Sequence, residues 1–245
     1  MALPLVAFWI LVAAGVTRAE RRRAYARKRA GEWLLDGIGL FIQGALVPLV
    51  QATLLFAALQ LVAPSLRGRL QLPISDFAFG FLLNVFVIDY LYYWNHRLLH
   101  SRALWPLHQV HHSVRELDVV ATARNTTWTS FFILYLWVNG ALLYLLARPE
   151  GFALGAALTA ALDLWRHSEL SPRAGGFLDR TLGRALILPR HHAWHHATEE
   201  LAGNYGANWS LWDRLHGTFL ERAGAPKRLG VAVPLPLWRQ LVWPR

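Results

Sequence analysis

Apolar positions in this chain gather into long blocks instead of the narrow stripes that a water-soluble helix bundle shows. The blocks are Leu3–Val16, Trp33–Ala63, Ile74–Trp94, Thr127–Leu146 and Gly151–Trp165. A bilayer's hydrocarbon core takes about 20 residues of helix, so the longer blocks predict membrane-embedded helices. Asp36, Gln43, Pro48, Gln51 and Gln60 interrupt the second block, which is expected to cross once with a tilt or a kink at Pro48. Only Ala147–Glu150 separates the last two blocks, and so short a linker forces an antiparallel helical hairpin. The first block is short for a span. It has no basic segment before it and no small-residue cleavage site after it, so it reads as an uncleaved anchor, with a shallow interfacial helix as the alternative. The fold class that follows is all-α: an integral-membrane helical bundle.

Composition sharpens this picture. Of 245 residues, 55% are apolar and 16% charged, too few charges for an ordinary soluble domain. The net charge is +10, but Arg18, Arg21, Arg22, Arg23, Arg27, Lys28 and Arg29, opposed only by Glu20, carry six of those charges. A basic run between two apolar blocks is a positive-inside signal and not a nucleic-acid surface. With that run inside, the second block goes out, the third returns, and the hairpin goes out and back. The stretch between Trp94 and Thr127, and everything after Trp165, then faces the cytoplasm. A hairpin that did not cross would leave those parts on one side as well. Tryptophans near block ends (Trp9, Trp33, Trp94, Trp128, Trp165) fit an interfacial belt. Residues 221–245, with Pro234, Pro236 and Pro244, are expected to lie along the membrane surface. No repeat of solenoid length occurs.

The chemistry lies in the histidines. His96 and His100 are spaced HxxxH; His108, His111 and His112 form HxxHH, and His192, His195 and His196 repeat it. On a helix, residues three and four apart share a face, so each array presents imidazoles toward one point. Three arrays on one side of a membrane offer more nitrogen than one metal ion takes, which points to a binuclear site. Cysteine is absent, excluding disulfides, thiolate zinc sites and iron–sulfur clusters. Asp89, two helical turns before His96, and Asp163, four residues before His167, are candidates to orient a ligand imidazole. Asn204 and Asp213 are weaker ones. An interhelical polar contact is the alternative role for Asp89.

The stretches Asp89-Tyr-Leu-Tyr-Tyr-Trp-Asn-His96-Arg-Leu-Leu-His100, Trp105-Pro-Leu-His108-Gln-Val-His111-His112-Ser113 and Pro189-Arg-His-His192-Ala-Trp-His195-His196 resemble the signatures of the fatty acid hydroxylase/sterol desaturase superfamily. So do Asn204-Tyr-Gly206 and Trp212-Asp-Arg-Leu-His-Gly-Thr218. The resemblance runs from about Ile74 to the C-terminus. It implies a catalytic region over 74–245 following anchor segments in 1–73, as one structural domain with a histidine-rich di-metal cap. It further implies two iron ions held by His96, His100, His108, His111, His112, His167, His192, His195 and His196, with Asp89 and Asn204 supporting catalysis. His191 and His216 depart from the family pattern and are expected to stand outside the ligand set.

The implied activity is O2-dependent hydroxylation or desaturation of a lipid (fatty acyl, sterol or related). No Gly-rich dinucleotide fingerprint is present, so electrons must come from a separate protein; the resemblance implies a cytochrome b5, a ferredoxin or a reductase. The expected location is a bacterial inner membrane. The Phe- and Tyr-rich stretches 77–93 and 131–144 are candidates to line the substrate cleft, or else to face lipid. Two rivals are a membrane zinc hydrolase, for which no array supplies the general-base Glu, and a non-enzymatic metal-binding or transport protein, which would carry its ligands inside the spans.

Overall fold

Three of the polar residues that break the second apolar block, Asp36, Gln43 and Gln51, fall at spacings of seven and eight, which is one face of a helix. A computed structural model of the protein, describing residues 2–73, 75–199 and 203–244, shows what that face does. Leu35, Asp36, Gly39, Gln43, Val47 and Gln51 form the buried stripe, while Phe41, Leu49, Leu54 and Leu61 point outward. The interruptions are therefore the protein-facing side of a membrane helix.

The chain runs through α1 (Ala2–Val16), α2 (Ala19–Arg27), α3 (Ala30–Phe41) and α4 (Val47–Val62), then α5 (Asp76–Leu82), α6 (Asp89–Leu99) and the single turn α7 (Trp105–His108). It continues through α8 (Leu134–Leu145), α9 (Glu150–Arg166), α10 (Phe177–Ala185), α11 (Pro189–His195), α12 (Ser210–Leu215) and α13 (Leu237–Val242). Among the described residues there are no strands, only isolated bridges such as Leu70 with Leu146.

Wide π turns at Ile42–Leu46 and Leu83–Ile88 join α3 to α4 and α5 to α6. The resulting helices, Ala30–Val62 and Asp76–Leu99, are long and apolar enough to cross a membrane. The first π turn ends just before Pro48, whose ring nitrogen has no hydrogen to give to the preceding turn. The expected kink is thus absorbed by a change of helical pitch without a break. A third span exists only if α1 and α2 count as one, and they meet at 99°.

The hairpin differs from expectation at its start. Thr129–Phe132 is a 3-10 turn, and α-helix begins only at Leu134. The 12 residues of α8 cover roughly 18 Å, short of the roughly 30 Å hydrocarbon core. Asn95 of α6 explains the late start: its side chain accepts the Leu134 N–H at 2.5 Å and donates to the Phe132 carbonyl at 3.2 Å. Ile74, the expected first residue of the third block, lies outside the described residues. Between α5 and α9 the backbones nearly touch: a Cβ on Gly151 would collide with the Phe77 carbonyl, and one on Gly155 would sit 2.8 Å from the Asn84 Cβ.

The buried stripe of α3 and α4 grips the segment that follows the second histidine array. Asp36 takes Arg124 Nε and Lys28 Nζ, each at 2.6 Å, and Lys28 also meets Asp118 at 2.6 Å. Gln43 donates to the carbonyls of Thr126 and Thr127, and Gln51 to that of Ser130. All four charged groups are almost wholly buried. Removing one partner from such a cluster leaves a buried charge uncompensated, at a cost of about 3–5 kcal/mol. Asp36→Ala is therefore expected to lower the thermal unfolding midpoint of detergent-purified protein sharply; an unchanged midpoint would show that the network does not hold the anchor to the cap.

Candidate metal centre

The histidine arrays arrive on short elements, and most of these end at the site. α6 carries His96 in its last turn and His100 as its C-cap; α9 delivers His167 as its C-cap; α11 carries His192 and His195 and ends on His196. Pro189 suits the first turn of α11, where no backbone N–H is needed. His108 closes α7, and His111 and His112 follow in a 3-10 turn. Helix C-termini carry partial negative charge, so helices converging C-terminus first favour cations between them.

Nine imidazoles meet in two groups. His96, His100, His108, His112 and His195 form one; His111, His167, His192 and His196 form the other. Within each group, one ring nitrogen per residue lies within 4.8 Å of all the others. The groups touch through stacked rings, His112 on His196 at 4.3 Å between centroids and His108 on His111 at 5.0 Å.

Hydrogen bonds from the outward nitrogens fix the tautomers. His96 Nδ1 donates to the Tyr205 carbonyl at 2.9 Å, His195 Nδ1 to that of Gly203 at 2.7 Å, and His111 Nδ1 to that of Arg124 at 3.3 Å. His167 Nδ1 donates to the Asp163 carbonyl at 2.8 Å and has the Asp163 carboxylate 3.4 Å away. In neutral rings each corresponding Nε2 is then a lone pair. Yet His167 Nε2 faces His111 Nε2 at 3.2 Å and His192 Nε2 at 3.0 Å, and His192 Nε2 faces His196 Nε2 at 3.1 Å. His111 and His167 therefore present acceptor to acceptor, an arrangement that repels unless a cation sits among them. Both ring nitrogens of His112, together with His195 Nε2, are buried without a hydrogen-bond partner. This donor set fits nitrogen-bound metal ions, five imidazoles around one position and four around the other.

The other expected residues are placed as follows. Asp89 does not reach an imidazole; its carboxylate accepts the Asn208 N–H at 2.8 Å and Trp212 Nε1 at 2.8 Å, tying α6 to the C-terminal segment. Asn204 stands at φ 52°, donating to the carbonyls of His191 and Leu220 and accepting the Leu220 N–H, next to the Gly203 carbonyl that orients His195. Asp213 accepts the N–H groups of Tyr205 and Gly206 and so shapes the turn whose Tyr205 carbonyl holds His96. Neither His191 nor His216 enters a group. His191 Nδ1 accepts the Leu188 N–H at the start of α11, and His216 Nε2 lies 3.1 Å from the Tyr90 hydroxyl. The carbonyls of Tyr205, Gly203 and Arg124 left no trace in the sequence, because any residue type supplies one.

A cavity of about 90 Å³ opens beside the imidazoles, with Tyr92, Tyr135, Ile133 and Leu99 on its apolar side and His96, His108, His111 and His167 on the other. From the aromatic stretches flagged in the sequence, Tyr92 and Tyr135 reach it, whereas Phe77, Phe79 and Phe86 are exposed on the outer surface.

Burial pushes the imidazoles of His108, His111, His112, His192 and His196 well below the ordinary histidine range, and neighbouring imidazoles add to the shift. Burial also lowers His167, against the opposing pull of Asp163, and lowers His195 to about 3. Above pH 6.5, the ordinary histidine value, folded and unfolded chains both carry neutral rings and these groups add no pH dependence. Below it the unfolded chain takes up protons that the folded cap refuses, so stability falls as pH falls. Metal-free protein is expected to lose thermal stability steeply from pH 6.5 downward. Unfolding scans of the metal-free protein across that range check this, and a midpoint independent of pH below 6.5 would contradict it.

The chain matches the fatty acid hydroxylase family over residues 81–218, more than half its length. It is 36% identical over 146 residues to the ornithine lipid hydroxylase OlsE of Rhizobium tropici, covering 58% of this chain and 42% of the relative. It is 33% identical over 153 residues to the alkylglycerol monooxygenase of Danio rerio, covering 61% and 32%. The fatty acid hydroxylase vlmA of Lecanicillium sp is 26% identical over 147 residues, covering 56% and 40%. The aligned region thus spans less than half the length of these relatives. No solved structure matches the chain. All nine clustered histidines fall inside the matched region, and the chain belongs to the fatty acid hydroxylase family.

Proposed function

We propose that this protein is a multi-pass membrane oxidase that binds two iron ions and uses O2 to insert oxygen into a lipid. The observation that carries this reading is the five-plus-four division of imidazoles, eight of the nine buried, beside a cavity that Tyr92, Tyr135, Ile133 and Leu99 help to line. An unactivated C–H bond yields to no side-chain acid or base, and ferrous ions, when bound, supply the oxygen-activating redox chemistry it requires. The relatives' names, an ornithine lipid hydroxylase and alkylglycerol monooxygenases, favour hydroxylation of a polar-headed lipid over desaturation. The electrons would come from a separate protein of the cytochrome b5, ferredoxin or reductase type. The basic run at 18–29 supports a cytoplasmic cap in a bacterial inner membrane.

In this reading the chain's own residues do three things. His96, His100, His108, His112 and His195 hold one iron, and His111, His167, His192 and His196 the other. The carbonyls of Tyr205, Gly203, Arg124 and Asp163 keep ring protons on the outward nitrogens, so each metal-facing Nε2 stays available. The apolar wall of the cavity excludes water and orients the lipid chain against the imidazoles. Asp89 and Asn204 support catalysis indirectly, by fixing the C-terminal segment that carries the Gly203 and Tyr205 carbonyls.

Iron-loaded protein, reconstituted in bilayers with a lipid extract, a reductant-driven donor and labelled O2, is expected to yield a lipid one oxygen atom heavier that carries the label. His195→Ala is expected to abolish that product and to lose metal, whereas His216→Ala keeps its metal. Labelled product at the wild-type rate from the His195 variant would overturn the assignment.

A further inference from the structure

The C-terminal third carries an apolar surface that the metal centre does not use. On α10, Asp179 and Gly183 face the protein, Phe177, Leu178 and Leu182 form one exposed face, and Arg180 and Arg184 lie on a third. Phe177 is 73% exposed, a value that water would penalise in a stable fold. Beside it α12 exposes Leu211 and Leu215 in the same way.

The depth of α12 identifies what meets this surface. Just before α12, Trp209 stacks on Phe86 with 4.9 Å between centroids and donates from Nε1 to the Val85 carbonyl at 2.6 Å. Trp212, within α12, lies 4.7 Å from the Tyr90 ring. Val85 is some 20 Å along the helix axis from Leu99, by the rise per residue. The segment therefore runs beside the apolar length of the Asp76–Leu99 helix and not beyond its end. Its exposed leucines continue the outward face of that helix, where Val87, Trp94 and Leu98 are also exposed.

Next to the apolar face lies a notch of about 280 Å³ lined by Arg180, Arg184, Arg190 and Arg214 with Asp179 and Glu221. Both carboxylates are committed to Arg190, Asp179 at 2.7 Å and Glu221 through the other guanidinium nitrogen. Among the described residues Arg180, Arg184 and Arg214 have no ion-pair partner, although Arg180 donates to the Gly175 carbonyl and Arg214 donates to Ser210 Oγ and lies over the Phe219 ring. With Arg190, Asp179 and Glu221 they leave a net charge of +2 around one small cavity. Guanidinium groups bind phosphate oxygens through paired N–H donors.

We propose that α10 and α12 form a foot embedded in the membrane interface that holds an anionic phospholipid, its phosphate in the arginine notch and its acyl chains on Phe177, Leu178, Leu182, Leu211 and Leu215. The site is separate from the histidine cluster and does not depend on the chemistry proposed there. Each interfacial arginine contributes about a fivefold preference for anionic lipid.

The test uses the delipidated full chain with phosphatidylglycerol, phosphatidylcholine of the same acyl chains, and inorganic phosphate as probes. Bound lipid per chain is read by native mass spectrometry. Phosphatidylglycerol is expected to bind in preference to phosphatidylcholine, and the double variant Arg180→Gln/Arg184→Gln to weaken it on the order of tenfold or more. Arg180→Lys/Arg184→Lys should keep most of the binding, and all forms should keep their metal. Equal binding of the two lipids, unchanged binding in the glutamine variant, or full displacement by millimolar inorganic phosphate would overturn the proposal. Because the chain has no cysteine, a fluorophore on Leu215→Cys reports its surroundings independently of how the arginine variants fold. Quenching by lipids brominated on their acyl chains is expected, and quenching by aqueous iodide alone would overturn the foot.

Discussion

Imidazoles packed against one another set the terms for the rest of this molecule. A buried neutral ring needs a donor partner and an acceptor partner, and nine rings crowded against one another cannot supply both. His111 and His167, each with its Nδ1 proton given to a carbonyl, turn lone pairs toward one another at 3.2 Å. Protonation would relieve that repulsion at the cost of a buried charge, which burial disfavours at both rings. A shared metal cation relieves it while keeping every ring neutral. The helices support this choice, because α6, α9 and α11 all end at the cluster and turn partial negative charge toward it.

The same constraint explains why so much of the chain serves to position carbonyl oxygens. Asp213 and Asn204 shape the turn that places the carbonyls of Gly203 and Tyr205, and Asp89 pins that segment to α6. The Arg124 carbonyl is placed from the other side, by a guanidinium bound to Asp36 on the first long membrane helix. The anchor region outside the family match thus reaches the metal centre through one buried ion pair. Membrane helix and cap act as one unit, and the cavity with Tyr92, Tyr135, Ile133 and Leu99 on one side opens beside the imidazoles.

Much of this was legible in the sequence, because the relevant signals are periodic. HxxxH and HxxHH spacings fix a shared helical face, and the eight histidines they identify meet in the cluster together with His167, which only the family resemblance implied. Apolar blocks gave the two long helices, and the HxxHH register separated His192 from His191. Other features were illegible for stated reasons. Asp36, Gln43 and Gln51 read as interruptions because an apolar block does not reveal which side meets protein. Asp89 shares a face with His96, but face alone does not say which partner a carboxylate meets, and backbone N–H groups of the C-terminal segment took it. The late start of α8 depended on Asn95, a contact 39 residues distant in sequence.

Counting iron on the purified chain decides whether two metal ions share this histidine cluster. Protein expressed with iron supplementation should carry two irons per chain, with a Mössbauer spectrum showing the two coupled to each other and oxidised on exposure to O2. A single iron, two uncoupled irons, or zinc without recoverable iron would rule out a di-iron pair in the cluster and leave the family match as evidence of fold alone.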